Sequence, residues 1–561
     1  MGIATTRIIE RMMAYSGQLA KAPVTFTAQL AVDRAGVLFG LPALQAQGLL
    51  KATEVYEPLA NGYYGLEHVM LLLAFMALCR IKNPEQLKQC APGEIGKILG
   101  LDRSPEVRCL RNKIKQLVNQ QKATKYAGIL SHEWINQEQC MYFYIDGHVR
   151  VYNGYAATLG KKYIARQKLL LSGTTEFWIN NAQGNPIGVY IGDLTERLKD
   201  GIIQMINQLK NDTSALTDEK QLAENENLPR FTLIFDREAY EPAWFNKLWK
   251  EERIAVITYR KNVKEFWPEE SFKIIDTDTS NLNDTSLLCE REVTLAGQPY
   301  REVRKLNQGG HQTSIITNNF TINTIETAKK MFARWRQENY FKYLIENYDF
   351  DKMIQYGYEN LDEDMQVVNP PYSRLSHQIK KEKEKKVRID ARLFEKIIQN
   401  ADAPMPEVAT FLEQQSKLKE KQEQHQNKID QLNEERKKIA ARIKIKDMDK
   451  DKQYNRLKKE SKYFINIIKM IAFRAETALY RQIAPFYKNT DKDGRMIIKE
   501  IMNTPADMLP DNNNQTLTIR LHPLSTPRAN EAAKKLCGIL NETKTKYPDT
   551  NLTLFYETIF N

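Results

Sequence analysis

The chain is predicted to be an α/β protein built around a mixed sheet, and three observations predict it. Short apolar runs rich in β-branched and aromatic residues (MYFYID, FTLIFD, RIAVITYRK, QTSIITNN) alternate with stretches whose apolar residues recur at helical spacing. Hydrophobic residues make up 42% of the 561 positions, enough for cores in roughly three or four units of ordinary size. Three acids punctuate the pattern: Asp146 ends MYFYID, Asp236 ends FTLIFD, and Glu338 lies inside AKKMFARWRQENYFKYLIE.

Residues 1–135 read as a helical region. EHVMLLLAFMALCRI is apolar all round, as a buried helix is. Pro92 and Gly93 open the next helix, Ile95, Ile98 and Leu99 keep its spacing, and Gly100 stops it. From about Pro105, Val107, Leu110, Ile114 and Leu117 share a face, with Arg108, Arg111, Lys113 and Lys115 around it. Two short helices about a glycine turn, the second one basic, fit a helix-turn-helix that sets Arg108 and Arg111 on DNA. A plain helical bundle fits the same pattern.

Residues 136–370 carry the strands. The first is 141–152, the second KKYIARQKLLL with TEFWINN, and the third NPIGVYIGD after a turn at Gly184 to Pro186. A helix follows with Leu198, Ile202, Ile203, Ile206 and Leu209 on one face. Then come the strand PRFTLIFD, the helix PAWFNKLWKEE, the strand RIAVITYRK and, after an insertion over about 262–310, the strand QTSIITNN and a long helix carrying Glu338. Such an order makes an antiparallel meander of the first three strands, to which the later ones add through helical crossovers. The insertion reads as a hairpin around Ala296 to Gln298, and its place between Asp236 and Glu338 lets it overhang the acids.

In residues 371–475 Lys, Glu, Gln and Arg dominate. Leu418, Ile429, Leu432, Ile439 and Ile443 keep a helical seam interrupted by His425 and Arg436, which fits a helical arm or hairpin as well as a dimer zipper. Residues 476–561 read as a small α/β unit, the strands QTLTIRLHPL and NLTLFYETIF flanking the helix RANEAAKKLCGILNETKTK.

The formal charge of +12 suits nucleic acid or an anionic membrane surface. The longest apolar run, Val69 to Leu78, is about half the ~20 residues of a spanning helix, and no signal peptide is visible, so no membrane partner is expected. Six scattered cysteines without a CxxC pair read as reduced intracellular thiols rather than a zinc site. No Walker loop occurs, so no ATP requirement is visible.

Each acid has an ordinary reading: Asp146 as a turn residue before Gly147, Asp236 as a helix cap or partner of Arg237, Glu338 as a solvated helix acid. Together they fall where this strand order brings strand ends and a helix into one place. Converged carboxylates repel and call for divalent cations, the equipment of phosphodiester chemistry. His148 shares Asp146's strand face, for phosphate, metal or simple packing. Trp244, Trp249 and Trp267 sit near basic residues after Asp236, suited to stacking on an unpaired base or to a core.

The blocks FYIDGHVRVYNG, GKKYIARQKLLL, FWINNAQGNPI, TLIFDREAY, and SIITNN followed by ARWRQENYFKYL carry a resemblance. The chain resembles the DDE transposases of bacterial insertion sequences, whose catalytic core is ribonuclease H-like, in the subgroup with a β-rich insertion between the second Asp and the Glu. The resemblance implies that Asp146, Asp236 and Glu338 form a catalytic triad holding two Mg²⁺ or Mn²⁺ ions. Arg334 matches the basic position of the subgroup's Tyr-Arg-Glu-Lys signature. Met331 and Ile345 depart from the Tyr and Lys positions, with Lys342 one turn from Glu338 as the substitute. Arg237 and Trp267 join Arg334 and Lys342 as DNA contacts near the site. The implied activity is cleavage at element ends and strand transfer into target DNA, by a homodimer or larger assembly in the prokaryotic cytoplasm at the nucleoid. A ribonuclease H-like nuclease or resolvase without joining, and a domesticated DNA-binding protein, are the rival readings.

Overall fold

Helices and strands fall largely where their periodicities place them. The computed structural model describes residues 6–560 apart from 61, 155–156, 158, 160, 165–168, 195, 277–284, 350–356, 361–362, 365, 400–404, 450–454 and 487–490. The middle of the second expected strand (165–168) and part of the insertion (277–284) therefore lie outside the described residues. The chain forms two units, one from Met1–Asn153, Gly160–Tyr356 and Lys458–Asn561, the other from Gly154–Leu159 and Gly357–Leu457.

The first unit opens with α1 (Ile8–Tyr15), β1 (Gln29–Val32), α2 (Leu41–Ala46) and α3 (Ala52–Val55). In α4 (Leu66–Leu78) every residue from His68 to Met76 is buried, as its uniform apolarity requires. His68 closes the helix start by accepting the Gly65 N–H at Nδ1 (3.1 Å). After α5 (Pro92–Ile98), Gly100 takes a left-handed φ of 66° and ends the helix as expected. α6 (Val107–Asn119) buries Leu110 and Leu117 and packs on the 3-10 turn Pro84–Gln89 and on the later helix Lys459–Ile483, in the manner of a bundle. α7 (Ala123–Glu138) leads into the sheet.

That sheet begins with β2 (Tyr142–Val151), β3 (Lys161–Ile164), β4 (Leu169–Asn180) and β5 (Pro186–Asp193), with β4 antiparallel to β2, β3 and β5. α8 (Leu198–Asp212) and α9 (Glu219–Glu224) cross to β6 (Phe231–Phe235), which runs parallel to β2. α10 (Pro242–Glu252) crosses to β7 (Ile254–Tyr259), parallel to β6. Every residue of β6 is buried, because helices cover both faces of a parallel strand. The insertion supplies β8 (Lys273–Asp276), β9 (Thr285–Leu295) and β10 (Gln298–Leu306), and β11 (Gln312–Thr317) follows. Ala296 (φ 49°) and Gly297 (φ 76°) make the two-residue turn of the β9–β10 hairpin. β10 pairs with β11 and β11 with β7, so the insertion widens the sheet in its own plane, where an overhang above the acids was expected.

The long helix expected after β11 is two helices, α11 (Thr324–Phe332) and α12 (Trp335–Tyr348). The break has a packing cause. Met331 of α11 is fully buried against Tyr144, Ile234, Ile257 and Ile315, while α12 sets Tyr340 and Phe341 on Trp178. One straight helix does not serve both contacts.

The second unit has β12 (Tyr358–Asn360), β13 (Gln366–Val368), α13 (Pro370–Gln399), α14 (Met405–Lys437), β14 (Arg442–Lys444) and β15 (Asn455–Leu457). α13 and α14 pack on each other through Ile379, Ile429 and Leu432, so the seam closes within the chain as a helical hairpin. His425 and Arg436, the seam's interruptions, meet Glu382 and the Tyr372 ring.

Back in the first unit, α15 (Lys459–Ile483) is buried along most of its length and lies against α4, α7 and β5. Lys462 and Asn466 reach Glu176 of β4, which also holds Arg150 (3.1 Å) and the Trp178 indole N–H (3.0 Å). Burial alone would push the Glu176 carboxyl up, but Arg150 and Lys462 outweigh it and hold it below the usual range. α16 (Asp491–Asn503), β16 (Ala506–Asp511), β17 (Thr516–Leu521), α17 (Pro527–Glu542) and β18 (Thr553–Thr558) end the chain. β1 pairs with β16 in the sheet β1-β16-β17-β18, so the first and last segments, expected as separate units, share one sheet.

Gly36 marks the tightest point of that junction. Its N–H donates to Thr504 O (3.0 Å), and a Cβ there would stand 2.0 Å from Ile501 O. Gly36→Ala is expected to lower stability by about 2–4 kcal/mol, because backbone atoms must separate. Urea unfolding checks this; an unchanged midpoint would contradict the close approach.

Candidate active site

Two carboxylates come together through strand register. Ile145 of β2 lies opposite Phe235 of β6, so Asp146 and Asp236, each one residue on, sit side by side at the carboxyl end of β6. Asp146 accepts the Gly147 N–H (2.9 Å), and Asp236 accepts the Arg237 N–H (2.7 Å) while capping the 3-10 turn Arg237–Ala239. Asp236 therefore also plays the capping part its neighbours suggested, whereas Asp146 is no turn residue: β2 runs on through Gly147 to Val151, paired with β4.

The break before α12 delivers the third. Glu338 lies in the first turn of α12, and Arg334 stands at the N-cap. Arg334 donates to Glu338 Oε1 (2.7 Å) and approaches Asp146 Oδ2 at 3.7 Å, bridging the two acids. What fixes this turn is Gln337, a buried residue that no sequence signal marked. Its Nε2 faces Tyr144 O (3.1 Å), Trp178 O (3.0 Å) and Asn180 Oδ1 (2.8 Å), keying α12 onto β2 and β4. Tyr259, the last residue of β7, also hydrogen-bonds with Arg334, and burial raises its phenol above the ordinary value.

The charges of the three acids act on one another. Burial pushes the Asp146 carboxyl up to about 6; Arg334 and the Gly147 N–H oppose the rise, while Asp236 and Glu338 add to it. Among the described residues, no three His, Cys, Asp or Glu side chains stand ready as the ligands of one ion. The donors are nonetheless hard oxygens, the chemistry that suits Mg²⁺ or Mn²⁺, and Arg334 supplies positive charge between Asp146 and Glu338.

The remaining sequence candidates divide. Arg237 and Lys342 are exposed, with no ion pair among the described residues. Arg108 and Arg111 lie exposed on α6, Arg111 paired with Glu85. Trp267 departs from its expected role as a stacking surface for DNA. It is 5% exposed, with Arg304 and Arg291 over its ring (4.0 and 4.5 Å), and belongs to the core of the insertion. Trp244 is likewise buried, and Arg253 lies over Trp249. His148 stacks on Phe341 (5.3 Å), so it packs. Trp335 is 56% exposed beside Arg334. Among the described residues no helix is long and apolar enough to cross a membrane, and all six cysteines are free.

A mixed sheet that gathers acids and an arginine at one end, in a basic chain, has the attributes of a nucleic-acid-processing protein. The particular family follows from comparison: the family described as transposase protein matches residues 2–560, and the chain belongs to it. No curated protein matches the chain.

The raised Asp146 carboxyl gives a testable sign. Folding favours the protonated acid, so Asp146 costs nothing below the ordinary value of 3.8, and the cost grows with pH until it is complete above about 6. Asp146→Asn is expected to match wild type near pH 3.5 and to exceed it by up to about 3 kcal/mol at pH 7.5 in EDTA. Urea midpoints at both pH values check this; parallel curves would contradict it.

Proposed function

We propose that the chain is a DDE-type DNA transposase of a bacterial insertion sequence, with a ribonuclease H-like catalytic core. It cleaves phosphodiesters at the ends of its element and joins them to target DNA. One observation carries the reading: strand register sets Asp146 beside Asp236 at the carboxyl end of β6, and Arg334 links Asp146 to Glu338. Family membership supports transposition and hence DNA as the partner. The meander β5-β4-β2 followed by parallel β6 and β7 supports the proposed core.

Asp146, Asp236 and Glu338 would hold two Mg²⁺ or Mn²⁺ ions, which when bound supply an activated water or DNA 3′-hydroxyl and charge relief at the leaving oxygen. The chain's own groups do the rest. Asp146 gives up its proton near pH 6, so its carboxyl is mostly anionic at neutral pH. Arg334 exchanges its carboxylates for a phosphate, to which a guanidinium offers paired donors. Arg237 and Lys342 flank the path of the strand, Arg108 and Arg111 hold DNA farther off, and Trp335 offers a ring to an unstacked base. Bringing two element ends together calls for at least a homodimer on DNA, at the nucleoid of a prokaryotic cell.

Alanine at Asp146, Asp236 or Glu338 is expected to cut strand cleavage by at least about 10³-fold while DNA binding persists. A Mg²⁺-dependent assay on duplex carrying the element's terminal repeat measures this, and full cleavage by any one variant would sink the triad. A pre-cut end separates strand transfer from simple hydrolysis. Hydrolysis without joining would mark a nuclease or resolvase, and binding without any cleavage a domesticated DNA-binding protein.

A further inference from the structure

In the helical hairpin of the second unit, one side of α13 is chemically uniform. At 3.6 residues per turn, Arg374, Lys381, Lys385, Arg388 and Arg392 fall within a stripe about 60° wide, and no acidic residue falls within it. All five are exposed. The stripe runs about 27 Å at 1.5 Å per residue, longer than the ~12 Å width of a DNA major groove. α14 differs: its exposed face intersperses Lys419, Glu420, Lys421 and Glu423, as a surface built for solubility does.

The charges of the stripe are not consumed internally. Lys385 pairs with Glu382 (2.7 Å), but Arg374, Lys381, Arg388 and Arg392 have no ion pair among the described residues. Of the acids of α13, Glu382 meets His425 (2.6 Å) and Asp390 accepts from Gln422 (2.5 Å) on α14, while Glu384 and Glu395 lie exposed beside the stripe and pair with none of its cations among the described residues. The support beneath is built. Ile379, Ile429 and Leu432 are buried between the helices, and Asn369 at the base donates to Ala440 O (2.9 Å) and Ala441 O (3.0 Å). A cationic ridge on a braced helix loses little conformational freedom on meeting a polyanion.

We propose that this stripe of α13 is a second DNA-contacting surface, one that grips the phosphate backbone of a duplex without reading its sequence. Five cations at the ends of long side chains reach phosphates on both sides of a groove, the contacts that supply sequence-independent affinity. The inference rests on the transposase reading only for DNA as the polyanion; the chemistry of the acidic site plays no part in it.

The test is binding of the full-length chain to an unrelated 40-base-pair duplex in EDTA, by fluorescence anisotropy from about 50 to 200 mM salt. Arg374, Lys381, Arg388 and Arg392 are changed together to Gln, and a control of equal charge loss changes Lys383, Lys419, Lys421 and Lys428 to Gln. The stripe variant is expected to reduce the slope of log K against log salt by about 3–4, roughly 0.9 per lost phosphate contact, and the control by less than about 1. Arg374→Lys, Arg388→Lys and Arg392→Lys together keep the charge and are expected to keep the slope, which separates charge from folding. A stripe variant that behaves like wild type or like the control overturns the proposal while leaving the function intact. A wild-type chain that binds no duplex overturns both.

Discussion

One buried carboxamide sets the geometry on which the acidic site depends. Gln337 has two N–H hydrogens and three acceptors within reach, on Tyr144, Trp178 and Asn180. Buried N–H donors must be bonded, since an unmet one costs about 1–3 kcal/mol, and here they are met although the Gln337 Oε1 is buried without a partner among the described residues. The requirement fixes how the first turn of α12 meets β2 and β4. Glu338 follows directly in sequence and Arg334 precedes by one turn, so both inherit their aim from Gln337. Tyr144, an anchor of the amide, stands two residues before Asp146 on the same strand. The same short stretch of β2 thus carries one acid and locates another.

Around that anchor the charges are left in tension. Two acids come from adjacent strands and a third from a helix, and Asp146 is strained enough to hold its proton to about pH 6. Arg334 relieves part of this by bridging Asp146 and Glu338. The charge balance comes from a guanidinium, a group whose paired donors suit carboxylate and phosphate alike. The contrast with Glu176 is instructive. There Arg150 and Lys462 meet a fully buried carboxylate, and burial is outweighed. That cluster is structural, because its charges are met within the fold.

Much of this was legible in the sequence for local reasons. The parallel strands β6 and β7 are buried on both faces, so their apolar runs admit no other placement. Asp146 and Asp236 stood out because each ends such a run. The break between α11 and α12 was not legible. The stretch through Ala333 and Arg334 contains neither Gly nor Pro, and only the separate packing of Met331 and Phe341 divides it. The pairing of β1 with β16 joins residues far apart in the chain, and β1 has four residues of which only Val32 is buried, so no periodicity announces it. Trp267 misled because its cations, Arg291 and Arg304, arrive from a hairpin elsewhere in sequence. The seam of α13 and α14 has the same spacing whether it closes within a chain or between two. Gln337 left no trace at all, as a neutral polar residue on a helix ordinarily faces water.

Whether Asp146, Asp236 and Glu338 form one metal-binding site is decided by anomalous diffraction from crystals grown with Mn²⁺ and a terminal-repeat duplex. Manganese peaks are expected within bonding distance of Asp146, Asp236 and Glu338, with the Arg334 guanidinium moved off Asp146 and onto a phosphate. A map at saturating Mn²⁺ with no peak among the three acids, and Arg334 still bridging Asp146 and Glu338, would contradict that expectation.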